Sequence, residues 1–70
     1  MKYRNARNFS VFAVYRGSSV YIPNKLVQVS VCKIAYSWYV YYRKVCKIYS
    51  SIDSLLKEWD VIRFEGERNG

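Results

Sequence analysis

The sequence predicts an α+β domain: a small antiparallel sheet of about four to five strands, one short helix over about 51–59 packed on one face, and a final strand over 61–65. Three observations carry that expectation. Residues 9–16 and 25–34 alternate between two sets of side chains with a period of two, the signature of strands. Residues 36–49, YSWYVYYRKVCKIY, are aromatic and β-branched with neither Gly nor Pro. Helical spacing is convincing only after Ser50-Ser51, where Ile52, Leu55, Leu56 and Trp59 fall on one stripe.

Residues 1–8, MKYRNARN, mix bases and amides without apolar periodicity and read as a basic N-terminal arm. A single domain over 9–65 follows, and 66–70 form a polar C-terminal tail. In the first strand Phe9, Val11, Ala13 and Tyr15 share one face, while Ser10, Phe12, Val14 and Arg16 share the other, until Gly17-Ser18-Ser19 stops the run. A hairpin is the economical continuation, with Val20-Tyr21-Ile22 as a short return arm. Pro23-Asn24 then breaks it, because proline cannot donate to a ladder. In the next strand Val27, Val29 and Val31 point to a core face.

Read as one long strand, 36–49 places Trp38, Val40, Tyr42, Cys46 and Ile48 on one face. Tyr39, Tyr41, Arg43, Val45, Lys47 and Tyr49 take the other. Lys44 sits badly on the first face, which points to a bulge or bend near Arg43-Lys44, or to a turn dividing the run into two strands. VCKIAYS at 31–37 echoes VCKIYSS at 45–51, a match that β-rich composition accounts for without a repeat architecture. Either serine before Ile52 can cap the helix, Asp53 suits its positive end, and Asp60 closes it. The expected core comprises Trp38, Val40, Ile48, Leu55, Leu56, Trp59, Ile62 and Phe64, so that Leu56→Asp is expected to abolish folding.

Charge is distributed unevenly along the chain. The first 52 residues hold nine bases and no acid, and the remainder holds three bases and five acids, for a net charge of +7. A sheet carrying only positive charge repels itself, so either packing offsets the cost or a polyanion neutralises it. Solubility alone does not require the absence of acids across three quarters of the chain. Aromatic residues make up 19% of the chain and apolar ones 51%, more than one 70-residue core is expected to hold, which points to a homodimer or a partner-binding face.

Weighed by subtraction, nothing in the sequence argues for catalysis. The chain has no histidine, no glycine-rich phosphate loop and no metal-ligand spacing, and its carboxylates all lie in the last third. Cys32 and Cys46 read as buried structural thiols, since their neighbours Lys33 and Lys47 point to the opposite face of a strand. The expectation is therefore a non-enzyme without cofactor, metal or small-molecule substrate, not associated with a membrane and located in the cytoplasm.

The sharper hypothesis is nucleic-acid binding, with single-stranded nucleic acid or RNA favoured. Tyr39, Tyr41 and Tyr49 would supply rings for base stacking, Arg43 and Lys47 would neutralise phosphates, and Arg4 and Arg7 of the arm would extend the contact. Cross-strand tyrosine packing under Arg and Lys stems explains the same pattern without a ligand. A second class is a protein-binding inhibitor, encoded by a virus or mobile element, that covers an acidic surface of a host defence or nucleic-acid-processing enzyme in the host cytoplasm. Tyr, Trp and Arg are favoured interface anchors.

Overall fold

β1 (Arg7–Tyr15) and β2 (Leu26–Ile34) pair antiparallel, Val11 opposite Val29 and Ala13 opposite Val27, so the alternation in each strand becomes two shared faces. The computed structural model describes residues 7–68, and β3 (Ser37–Tyr42), β4 (Val45–Tyr49), α1 (Ile52–Glu58) and β5 (Trp59–Arg68) complete it. The sheet is antiparallel throughout, in the order β4-β3-β2-β1-β5. The chain is thus a small α+β fold with one short helix and a final strand. β1 begins at Arg7, inside the segment read as an arm, and β5 extends past both ends of the strand expected over 61–65.

The stretch 36–49 is two strands joined by a turn at Arg43-Lys44, not one. Tyr42 pairs with Val45, and Arg43 has a φ of 53°. Two-residue hairpins need a positive φ, and the β2–β3 connection uses Ala35, φ 55°, in the same way. Both positions lack the Gly or Asn that normally announces such a turn. Reversal at Arg43 shifts β4 by one face relative to the single-strand reading. Lys47 and Tyr49 therefore join Trp38 and Val40, while Cys46 and Ile48 join Tyr39 and Tyr41. Both VCKI segments form strands antiparallel to β3, one on each side of it, with cysteine and isoleucine on one face and valine and lysine on the other.

The core lies between one sheet face and the helix. Val11, Ala13, Tyr15, Val29, Val31, Val40, Tyr49 and Trp59 come from the strands, Ile22 from the β1–β2 loop and Leu55 from α1. Ser51 caps the helix with its Oγ, which accepts from the Ser54 N–H at 3.2 Å. With seven residues α1 has little stability of its own, and only Leu55 is buried. Four expected core residues are instead exposed: Leu56 by 50%, Ile48 by 64%, Ile62 by 58% and Phe64 by 60%. Ile48 follows from the reversal at Arg43. Leu56 lies on the flank of a helix that spans from β4 at one sheet edge to β5 at the other and turns one residue inward. Ile62 is the unmatched residue where the β1–β5 register shifts, and Phe64 sits on the β5 edge.

Val20-Tyr21-Ile22 is not a strand. Asn24 holds the loop by donating from Nδ2 to the Tyr15 carbonyl at 2.6 Å and to that of Gly17 at 3.1 Å, and Ile22 is buried as an apolar anchor. Val20 and Tyr21 are left 91% and 74% exposed.

Candidate functional site

The residues expected to form one aromatic and basic face divide among three places. Tyr39 and Tyr41 occupy the sheet face opposite the helix, Tyr39 between Cys32 and Ile48, Tyr41 between Ser30 and Cys46. Arg43 is in the turn, exposed, with its guanidinium 5.7 Å from the Tyr42 ring centre. Arg7 opens β1 opposite Lys33, at the other end of the sheet, and Arg4 lies outside the described residues.

Lys47 and Tyr49 belong to the helix side and to the protein's own structure. The Tyr49 hydroxyl donates to Glu58 Oε1 at 2.7 Å and accepts from Trp59 Nε1 at 2.9 Å. Burial, and then the hydrogen bond to Glu58, push its ionisation far above the ordinary phenol value. Lys47 Nζ stands 3.5 Å from the same carboxylate oxygen and 5.6 Å from the centre of the Tyr15 ring. Hydrogen bonding to Tyr15 is the main cause of its raised pKa, and Glu58 adds to it. Neither side chain is presented to a ligand on the tyrosine face.

That face, which no helix or strand among the described residues covers, is nearly free of charge. Register and alternation place Asn8, Ser10, Phe12 and Val14 of β1 on it, beside Leu26, Gln28, Ser30, Cys32 and Ile34 of β2. Ser37, Tyr39 and Tyr41 of β3 and Cys46 and Ile48 of β4 complete this part, and none of these is ionic at neutral pH. Charge enters along β5 and at Arg16 just past β1: Arg63 pairs with Glu65 at 2.7 Å and lies 5.9 Å from the Phe12 ring centre, and Asp60 pairs with Arg16 at 2.6 Å. Burial raises the Cys32 thiol above its ordinary pKa, so this thiol is not prepared for nucleophilic work. The Tyr41 phenol is also raised, by desolvation and then by the Cys46 thiol beside it.

Uncompensated positive charge gathers at the end of the sheet that carries the β1–β2 loop and the β3–β4 turn. Tyr21, Arg43, Lys44 and Val45 line an open cleft of about 490 Å³ there, and Lys25 stands at the foot of the loop. Among the described residues no carboxylate pairs with Lys25, Arg43 or Lys44, whereas Glu58, Asp60 and Glu65 are engaged by Lys47, Arg16 and Arg63. Tyr21, Lys25 and Lys44 were absent from the sequence-derived site. The signal that could have found Tyr21 is the Pro23-Asn24 break, which marks the preceding residues as a pinned loop.

A second cleft, about 220 Å³, lies between α1 and β5 at the opposite end. It is lined by apolar side chains alone, among them Phe9, Trp38, Ile52, Leu56 and Phe64, and so contains no polar group to orient a ligand. Among the described residues no cluster of His, Cys, Asp or Glu is placed to hold a metal ion, and no helix is long and apolar enough to cross a membrane. Fold and surfaces together define a small α+β domain with a basic, aromatic loop end and a neutral sheet face. No family model, curated protein or solved structure matches the chain.

Proposed function

We propose that this domain binds nucleic acid without catalysing a reaction, through the loop end built from Tyr21, Arg43 and Lys44, with Lys25 alongside. The observation that carries the reading is the placement of unpaired cations beside an exposed ring in one cleft. Cations neutralise phosphates and a tyrosine ring stacks on a base, a combination suited to an unpaired strand. Arg43 keeps the role expected from the sequence. The stacking role moves from Tyr39 and Tyr41 to Tyr21, because the face of the former offers no cation on β2, β3 or β4.

A protein-binding role is favoured by a different observation, the neutral and partly apolar open face. The two separate by salt. Binding of labelled single-stranded RNA, single-stranded DNA and duplex DNA across a salt series is expected to be saturable, strongest for a single strand, and steeply weakened by salt. Absence of binding near physiological salt would overturn the nucleic-acid reading.

A further inference from the structure

We propose that the apolar cleft between α1 and β5 binds the hydrocarbon chain of a medium-chain fatty acid, whose carboxylate lies against Lys33 at the rim. The cleft exists because α1 is too short to cover the sheet: its seven residues run straight into β5 at Trp59 and bury only Leu55. On the sheet Trp38, Phe9 and Phe64 form a row of rings, with centroids 6.5 Å apart for the first pair and 6.0 Å for the second. Ile52 and Leu56 form the facing wall, and Leu56 and Phe64 are half or more exposed. Mutual packing of the rings fixes the floor before any ligand arrives, so little ordering opposes binding.

Size and charge select the occupant. An apolar cavity of about 150 Å³ takes the six carbons of benzene, so one of about 220 Å³ takes roughly nine. That is room for a single hydrocarbon chain and not for a helix or a strand. No polar side chain lines the cleft, which leaves no partner for a ligand that is polar along its length. Charge stands at the rim alone. Lys33 lies opposite Trp38 across β2 and β3, and its Nζ is 5.7 Å from the centre of the Trp38 ring, itself a wall of the cleft. Among the described residues no carboxylate pairs with Lys33, and none lines the cleft. One cation beside an otherwise apolar cleft matches one anionic group at the end of an apolar chain, whereas a neutral hydrocarbon leaves the ammonium unused. The inference does not depend on nucleic-acid binding, which uses the opposite end of the sheet.

Titration of the full chain with straight-chain carboxylates from butanoate to tetradecanoate tests it, read by calorimetry and by tryptophan emission, since Trp38 lines the cleft. Each buried methylene is worth about fourfold in affinity, so binding should tighten at that rate up to about nine carbons and then level off as the chain outgrows the cleft. Octanoate is expected to bind one molecule per chain. Lys33→Gln should weaken it about threefold and leave octanol binding unchanged. Leu56→Asp and, separately, Phe64→Glu put a carboxylate in the wall and should abolish octanoate binding with unchanged circular dichroism, because both side chains are exposed in the parent. Absence of saturable binding at millimolar octanoate overturns the proposal. So does affinity that keeps rising past dodecanoate, which marks adsorption to the surface, equal affinity for octanol and octanoate in the parent, or a folded Leu56→Asp or Phe64→Glu chain that binds octanoate as the parent does.

Discussion

Tyr49→Phe removes one oxygen atom, and the structure makes its cost calculable. The hydroxyl accepts from Trp59 Nε1 and donates to Glu58, with Tyr49 and Trp59 both buried. Without it the Trp59 N–H is left in the core without an acceptor, a loss of about 1–3 kcal/mol. The lost bond to Glu58 adds less, because that side chain is 40% exposed and water replaces the donor. The expected destabilisation is about 2 kcal/mol, which at roughly 1 kcal/mol per molar urea lowers the unfolding midpoint by about 2 M. Urea titration followed by circular dichroism reads it. Trp59→Phe removes the donor in turn, so the double variant should fall short of additivity by about 1 kcal/mol. A Tyr49→Phe midpoint within about 0.5 M of the parent would refute the assignment of Tyr49 to the core network.

Other expectations concern the packing and the alkaline limit. Leu55→Ala should cost about 2–5 kcal/mol and Leu56→Ala less than about 1, measured in the same titration, because the first is 2% exposed and the second 50%. For the same reason Leu56→Asp is now expected to fold; a chain that fails to do so would restore Leu56 to the core. Gly17→Ala should destabilise by about 1–3 kcal/mol, since a Cβ there falls 2.5 Å from Tyr15 Cζ and the buried ring cannot yield; an unchanged midpoint would show that the loop shifts freely. Tyr49 is raised in the folded chain, so its contribution is complete below the ordinary phenol pKa of about 10 and is lost as pH rises through the folded value. Urea midpoints should fall above that pH in the parent and fall less in Tyr49→Phe; equal losses would contradict the coupling.

What the sequence made legible follows from how local each determinant is. Alternation over 9–16 and 25–34 carried the two central strands and their shared core valines, because a period of two is written in neighbouring residues. The helix was legible from Ser51 and Asp53, yet its buried stripe was not, since that depends on where the sheet edges lie. The turn at Arg43-Lys44 was noticed only as a misfit of Lys44. No glycine, asparagine or proline marks it, and the positive φ of Arg43 is imposed by pairing of the flanking strands. Taking the turn instead of the bulge moves Lys47 and Tyr49 from the expected site into the core network. Tyr21 was hidden for the opposite reason: Val-Tyr-Ile has strong strand propensity, and its exposure comes from Ile22 and Asn24 anchoring the loop.

The most direct test of the functional account is the salt dependence of single-stranded RNA binding in the parent and in Arg43→Ala/Lys44→Ala. Both side chains are exposed and have no carboxylate partner among the described residues, so the variant should fold as the parent does. Losing two phosphate contacts is expected to weaken binding and to reduce the log–log salt slope by about 1.4. A variant that binds as tightly as the parent, with the same slope, would contradict the claim that the loop end is the nucleic-acid surface.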